Sequence, residues 1–499
     1  MSDLTRDSVR FGEARGRWVL AAAVLGSAIA FLDATVVNVA LPAIGEDLDA
    51  DFAGLQWTVN GYTLTLAAFL LLGGSLGDRF GRRRVFLVGI VWFGLASLLC
   101  GLAPDVELLV AARVLQGVGG ALLTPGSLAL ISSTFDERDR ARAIGAWSAL
   151  GGLAGIAGPL VGGLLIEISW RLVFLLNPPL CAAVVWMSLR HVPESVDPQA
   201  ARTLDVPGAL VGAIGLGALT YGLVGLGEAG ASGPVVLSLA AGVLALVAFV
   251  VVEGRTRAPM LPLEVFRSRQ FSAANLVTFA VYAALGGVFF LLVVHLQVSS
   301  GYSPLAAGLS QLPVVVAMLL LSPRFGALSE RHGPRRFMAA GPLLCGVGAV
   351  LLLRVGQGAS YLLDVLPAVA VLGVGLGVVV APLTATVLAA AEQRHAGVAS
   401  GVNNAVARTA SLLAVAVLPV VAGLTGADYT DAGTFTDGFR TGMVVCAALL
   451  VLGGVLAWAT ISDGDVRARP LPAARRDRAP RRRATGVSGP ARTGPGSRR

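Results

Sequence analysis

The sequence predicts an all-α polytopic membrane protein of fourteen transmembrane helices. Three observations predict it: long apolar stretches fill most of the chain, arginines gather in alternate hydrophilic gaps, and one loop motif returns in degraded form in the second half. Hydrophobic residues are 55% of the 499 and charged residues only 14%, with a mean hydropathy of +0.76. Soluble domains do not have that composition.

An apolar helix of about 20 residues crosses a hydrocarbon core of ~30 Å. Stretches of that kind fall at 18–43, 55–76, 85–103, 107–131, 142–166 and 172–190, then at 206–227 and 234–253, and again at 271–296, 304–323, 337–354, 361–387, 397–424 and 439–461. These are spans 1 to 14, joined by short connections.

The basic residues test that number independently, because cytoplasmic loops accumulate positive charge and translocated loops do not. Lysine is absent, so all 38 basic residues are arginines. Arg6, Arg10, Arg15 and Arg17 precede span 1, and Arg79, Arg82, Arg83 and Arg84 separate spans 2 and 3. Arg138, Arg140 and Arg142 follow span 4, and Arg190 and Arg202 flank the gap after span 6. Arg255, Arg257, Arg267 and Arg269 follow span 8, Arg324, Arg331, Arg335 and Arg336 follow span 10, and Arg394 follows span 12. The intervening gaps hold only Arg171, Arg354 and Arg440. Both termini are therefore expected in the cytoplasm of a multi-pass protein of the cell membrane.

The formal charge of +8 resides in residues 462–499, which carry eleven arginines against three aspartates. This stretch is expected to be a disordered basic cytoplasmic tail that meets anionic membrane lipid. No aromatic residue interleaves its arginines, so nucleic acid is not expected as a partner. Cys100, Cys181, Cys345 and Cys446 all fall in apolar spans and read as small core residues, with no metal-binding spacing. A phosphate-binding loop needs a lysine, so the expected energy source is the proton gradient, with no cofactor. One charge falling through 100 mV releases about 2.3 kcal/mol.

An internal repeat divides the chain. Gly74-Ser-Leu-Gly-Asp-Arg-Phe-Gly-Arg-Arg83 after span 2 has a copy, Gly326-Ala-Leu-Ser-Glu-Arg-His-Gly-Pro-Arg335, after span 10. Gly120 through Pro125 in span 4 likewise matches Gly377 through Pro382 in span 12. The expected organisation is a cytoplasmic N-tail at 1–17, a six-helix bundle at 18–190, inserted helices 7 and 8 at 206–253, a second six-helix bundle at 271–461 and the tail at 462–499. Parallel repeats of this kind place a substrate site near the bilayer midplane, between the halves.

These residues carry a resemblance. Leu32-Asp-Ala-Thr-Val-Val-Asn-Val-Ala-Leu-Pro42, Gly77-Asp-Arg-Phe-Gly-Arg-Arg83, Arg113-Val-Leu-Gln-Gly-Val-Gly-Gly120, Gly155-Ile-Ala-Gly-Pro-Leu-Val-Gly-Gly163 and Trp170-Arg-Leu-Val-Phe-Leu-Leu-Asn-Pro178 occur in order. In this the chain resembles the fourteen-helix drug:proton antiporters of the major facilitator superfamily, the EmrB/QacA-type branch. The resemblance implies the major facilitator fold, two six-helix bundles plus two inserted helices, and no enzymatic activity. The second-half loop departs from the pattern, with Ser329 and Pro334 where Gly77 and Arg82 stand in the first.

Asp33 lies ~15 Å from the outer end of span 1, and Arg113 ~9 Å from the outer end of span 4, so the two can pair or share a water. A carboxylate at that depth costs roughly 2.5–3.5 kcal/mol, which makes it a functional candidate. Burial penalises the ionised form and a neighbouring arginine favours it, and a carboxyl balanced between them can take up and release a proton. Gln116, Gly117, Gly120 and Thr124 continue one face from Arg113. The resemblance implies a proton-coupling role for Arg113; helix-to-helix bonding is the alternative.

Gly151, Gly155, Gly158 and Gly162 in span 5 form a smooth groove, with Pro159 interrupting the hydrogen-bond ladder beside it. By resemblance this is a gating interface that favours efflux, although close packing explains the glycines equally. Gly77 and Gly81 permit a tight turn, and by resemblance Asp78 and Arg82 belong to a cytoplasmic gate. Asn404 and Arg408 recur at helical spacing in span 13 with Gly397, Gly401 and Ser411. Arg408 either faces the cavity and attracts an anionic or zwitterionic substrate, or answers Asp33 across the halves. Trp57, Tyr62, Phe279, Tyr282 and His295 are further candidates for a pocket.

The expected function is proton-coupled export of small amphipathic molecules by alternating access, with the chain working as a monomer. A dedicated exporter of one endogenous metabolite or antibiotic is the nearest alternative. A membrane receptor that does not translocate is the alternative of another class.

Overall fold

The structure, a computed structural model, describes residues 9–197, 203–390, 396–424 and 431–463. Arg202, Arg394 and nearly all of the expected basic tail lie outside them. The described chain is a succession of helices, with a single bridge between Val9 and Phe135.

Fourteen long helical passes are present among the described residues. They are α1 (Ala14–Leu48), α2 (Phe52–Phe80), α3 (Arg82–Gly101), α4 (Val106–Thr134), α5 (Glu137–Ile166), α6 (Arg171–His191), α7 (Val206–Ala229) and α8 (Gly233–Arg255). After them come α9 (Arg269–Val298), α10 (Pro304–His332), α11 (Arg335–Arg354), α12 (Tyr361–Ala389), α13 (Ala396–Val421) and α14 (Ala432–Thr460). Thirteen of these are long and apolar enough among the described residues to cross a membrane. The remaining pass is the 30-residue α5, several of whose side chains lie outside the description.

Most helices run a few residues past the predicted spans, because hydropathy marks the stretch in hydrocarbon and the helix continues into the interface. The largest differences are at α10, predicted to 323 and observed to His332, and at α14, predicted from 439 and observed from Ala432. Asp431 caps α14 by accepting a hydrogen bond from the Thr434 N–H at 2.7 Å, and the polar first turns then form helix outside the apolar core. Asp51 and Asp105 cap α2 and α4 in the same way, each through an N–H 2.8 Å away.

Helix packing repeats at an offset of eight. α2 and α3 each pack along α4, as α10 and α11 pack along α12, and α1 packs along α5 as α9 does along α13. The inserted pair forms a hairpin: α7 lies against α2 and α13, and α8 packs on α7.

The two halves meet at α2 with α13 and at α5 with α10. Their described polar contacts gather near the arginine-poor ends. Gln56 Nε2 donates to the Val415 carbonyl at 2.7 Å, and Gln297 Nε2 to the Val39 carbonyl at 3.0 Å. The Phe52 ring rests on Phe290 and Phe435, at centroid separations of 5.9 and 6.2 Å. Gly163 of α5 lies so close to Leu305 that an added Cβ would stand 2.5 Å from the Leu305 Cα.

Candidate functional site

Asp33 is buried in the middle of α1 and its carboxylate is held from three directions. Arg113 Nη1 donates to Oδ2 at 2.5 Å, and Gln116 Nε2 donates to Oδ1 at 2.8 Å. Asn177 Nδ2 reaches Oδ1 at 3.3 Å and donates to Ser97 Oγ at 2.9 Å. Ser97 Oγ in turn donates to the Phe174 carbonyl. The Arg113 guanidinium also donates through Nε to the Thr58 carbonyl at 3.0 Å and through Nη1 to Gln116 Oε1 at 2.7 Å. It lies over the Tyr62 ring at 4.4 Å and the Phe174 ring at 5.7 Å. An ion pair taken out of water survives only when its geometry is good and its remaining hydrogen bonds are made; here five helices supply them.

Local sequence places each member. Arg113 and Gln116 are three apart and share a face of α4. Gly117, one turn beyond Arg113, lets α4 approach α2 closely: an added Cβ would stand 2.3 Å from the Tyr62 carbonyl oxygen. That approach brings Arg113 Nε to the Thr58 carbonyl. Asn177 sits where α6 breaks between Arg171–Leu175 and Asn177–His191. Pro178 and Pro179 follow it and lack the N–H groups that would continue the ladder.

A void of about 10 Å³, whose lining does not include Arg113, adjoins Asp33 and Asn177 between α1, α5 and α6, comparable to the space of one water. Gly162 lines it, and an added Cβ there would meet Val36 at 2.4 Å; one on Gly158 would meet the Thr35 hydroxyl at 2.6 Å. These two glycines therefore press α5 against α1 beside the acid. Gly151, Gly155 and Pro159 lie on α5 outside the residues whose side chains are described.

A second, larger cavity of about 540 Å³ lies between the halves, within the range of small-molecule sites. Arg113 and Tyr62 belong to its wall, as do Phe31, Asn38, Asn60, Tyr282, Phe289, Asn403, Asn404 and Arg408. Asp33 does not; it stands behind Arg113. The cavity extends along α12 to Thr384, Val387 and Leu388 and along α13 to Ser400, close to the arginine-rich ends of both helices. The interhalf contacts of Gln56, Gln297 and Phe52 lie toward the other, arginine-poor ends of their helices.

Five sequence candidates for this cavity, Gln116, Trp57, Thr124, Phe279 and His295, are not among its lining residues. Gln116 is buried in the Asp33 network. Trp57 packs with Ala53, Leu223, Val224 and Ala416, its ring 6.4 Å from that of Tyr221, so it seats the inserted α7 on α2. Thr124 is outside the lining residues, and its carbonyl accepts from Ser127. His295 is also absent from the wall, stacked 4.2 Å from Phe439. Arg408 does not pair with Asp33: it faces the cavity, with no acid or hydrogen-bond acceptor among the described residues.

The loop after α2 is held within its own half. Arg82 Nε donates to Asp78 Oδ1 at 2.9 Å, and the Arg82 N–H donates to the Ser195 carbonyl. Glu194 accepts the Arg83 N–H at 3.1 Å. Gly77 has open space around it, whereas Gly81 has a φ of 111° and an added Cβ there would meet Glu194 at 2.7 Å. The second half repeats this clip: Gly333 has a φ of 89°, and Asp463 accepts the Arg335 N–H at 3.1 Å.

Sequence reading did not single out Asn38, Asn60, Ser97, Asn177, Glu194, Asn403 or Asp463. The first four and Asn403 lie inside apolar helices, where a polar side chain is itself a signal. Glu194 and Asp463 lie past the last helix of each half and carry no local mark.

Together, fourteen helical passes, a repeat at an offset of eight helices and a cavity between the halves define a multi-pass membrane transporter. Residues 23–415 match the Major Facilitator Superfamily, and the chain belongs to that family. It is 37% identical over 461 residues to the puromycin resistance protein pur8 of Streptomyces alboniger, covering 89% of this chain and 91% of that one. It is 36% identical to the methylenomycin A resistance protein of Streptomyces coelicolor, covering 90% and 93%. It is also 36% identical to the multidrug resistance protein Stp of Mycobacterium tuberculosis, covering 80% and 74%. Among solved structures, a bacterial homologue of the lysosomal transporter Spinster, in an inward-facing and unoccupied conformation, aligns with a TM-score of 0.64 at 18% identity, covering 90% and 97%. A POT peptide transporter in complex with sulfate gives 0.68 at 15%, covering 91% and 95%. At those identities the structural likeness concerns the fold. The chain is a transporter and not an enzyme.

Proposed function

We propose that this protein exports small amphipathic molecules, antibiotics among them, across the cell membrane in exchange for protons. The observation that carries the reading is the position of Asp33, a buried carboxylate one arginine away from the cavity wall. Protonation of Asp33 releases Arg113 from its partner, and Arg113 and Tyr62 stand where a cargo molecule lies. Cargo and proton can thereby compete for one network without sharing a site. The arginine-rich side is the cytoplasm, both termini lie there, and the cavity reaches toward it, which is the conformation in which an exporter loads. Asp78 and Arg82 form part of the gate on that face, and the glycines of α5 a moving contact with α1. The 18–190 and 271–461 halves rock about the site as a monomer, with 206–253 as an inserted hairpin.

The puromycin and methylenomycin resistance relatives support antibiotic cargo. A relative described as a cephamycin export protein, from Amycolatopsis lactamdurans and 36% identical, keeps the dedicated exporter as the second reading. Inverted vesicles test coupling. Asp33→Asn is expected to abolish dye accumulation driven by an imposed pH gradient while the protein still inserts; wild-type accumulation in that variant removes Asp33 as the proton carrier. A growth-inhibition panel in a pump-deficient host separates broad from dedicated export.

A further inference from the structure

The cavity walls also bear on which molecules are carried, an inference that rests on the export reading above. We infer that the preferred cargo is an amphipathic acid: an apolar body bearing a carboxylate or comparable anionic group that pairs with Arg408.

Charge comes first. Among the described residues lining the cavity, the charged side chains are Arg113 and Arg408. Arg113 is answered by Asp33 at 2.5 Å, so the pair contributes little net charge. Arg408 has no such answer among the described residues. The remaining field in the cavity is positive, and a low-dielectric wall strengthens it. A lipophilic cation entering this space meets an arginine and no acid, whereas an anion supplies the missing partner. Discrimination of this kind needs only one repulsive element.

Position comes second. α2 and α13 run antiparallel, with their register fixed outward by Gln56 on Val415 and inward by Leu71, whose side chain lies against Gly401. Seven residues inward from Val415 is Arg408, and seven inward from Gln56 is Thr63, so both lie ~10 Å from the outer contact. Arg408 is therefore level with Thr63 and within a turn of Asn60 and Tyr62, deep in the cavity.

A third, independent observation comes from the amides. Asn60 is fully buried, lines the cavity, and neither its Oδ1 nor its Nδ2 has a partner among the described residues; Asn38 Oδ1 is likewise unpartnered among them. Buried amides without partners are costly in an empty wall and useful in a binding one. Around these polar groups stand Phe31, Tyr282, Phe289, Met318, Leu376 and Val380, a surface for the apolar body. An anionic head and an apolar body are what this wall complements together.

Matched xanthene dyes test the inference: carboxyfluorescein is an amphipathic anion and rhodamine 6G a cation on the same scaffold. Equilibrium binding to purified protein, read by fluorescence anisotropy, should favour carboxyfluorescein by at least about tenfold. Arg408→Gln should abolish that preference, Arg408→Lys should keep part of it, and Arg408→Glu should invert it. Equal or tighter binding of rhodamine 6G by the wild type, or an unchanged preference in Arg408→Gln, overturns the inference. Uptake of carboxyfluorescein by inverted vesicles under a pH gradient is measured alongside. Anion-selective binding without gradient-dependent uptake leaves the cargo class standing and removes the export reading instead.

Discussion

Each half of the molecule carries one arginine inside the membrane, and the two are held in opposite ways. In the first half Arg113 is pressed into a buried contact between α1, α2, α4 and α6, where an acid, an amide, a carbonyl and two aromatic rings meet it. In the second half Arg408 stands on α13 facing the cavity, with Asn404 one turn before it and Ser411 one turn after. The residue type is the same; the neighbouring helix surface decides its use. Gly117 allows α2 to close over Arg113, whereas at α13 the nearby close contact is made by Gly286 on Ser411, which leaves Arg408 uncovered. A partnered cation inside a bundle links helices, and an unpartnered one in a cavity leaves its charge open to a ligand.

The strongest way to break this comparison is to truncate both arginines. Arg113→Ala leaves Asp33 as a buried carboxylate without its cation, which should cost about 3–5 kcal/mol and appear as a large drop in melting temperature in detergent. Arg408→Ala removes a side chain with no described partner and should change stability by no more than about 0.5 kcal/mol. Equal losses would mean that Arg408 has a structural partner and is no free cation.

The amides sharpen the same contrast at smaller scale. Gln116 donates to a buried charge at 2.8 Å, so Gln116→Ala should cost about 1.5–3 kcal/mol. Among the described residues Asn404 bonds only the Ser400 carbonyl in its own helix, and it is exposed to the cavity, so Asn404→Ala should stay within about 0.5 kcal/mol. Melting curves of the two variants side by side decide it.

Much of the fold was legible because two independent signals, apolar length and arginine placement, describe the same passes. The α5 glycines Gly158 and Gly162 were legible as a close contact but not as one made beside Asp33. Depth allowed an Asp33–Arg113 pair or a shared water, and the structure makes it a direct contact. What depth does not give is rotation about each helix axis. Thr124 continues the Arg113 stripe and Trp57 lies in a cavity-lining helix, yet one is outside the wall and the other faces the inserted α7. Asn177 was hidden for a related reason, since the break before Pro178 turns its side chain toward α1 and no periodic pattern records it. The inserted hairpin itself was visible from the repeat offset, but its seat against α2 and α13 was not.

The two loop motifs offer the next comparison. Gly81 and Gly333 occupy corresponding places, have φ values of 111° and 89°, and each leaves room for a carboxylate, Glu194 or Asp463, that accepts the N–H of the second residue beyond it. A side chain at either position must adopt a backbone conformation kept for glycine, costing of order 1–3 kcal/mol, and must also displace the acid. Gly81→Ala and Gly333→Ala should therefore destabilise alike, although the second motif is the more degraded in sequence. A loss at Gly81 alone would show that the second-half clip carries no weight.

The acids of the two loops should behave differently from the glycines. Asp78 pairs with Arg82 at 2.8 Å on a partly exposed surface, whereas at Glu330, the matching residue, Pro334 has replaced the arginine partner. Asp78→Asn should cost about 0.2–1 kcal/mol in stability, the usual scale of an exposed ion pair, and Glu330→Gln still less. Transport separates structure from gating here: a gate acid lowers the rate of exchange far beyond what its small stabilising effect explains. Asp78→Asn should accordingly slow gradient-driven efflux with little change in melting temperature, and Glu330→Gln should alter neither. An equal fall in both variants would make the two loops equivalent gates, and an unchanged rate in Asp78→Asn would reduce the first motif to its glycine clip and its arginines.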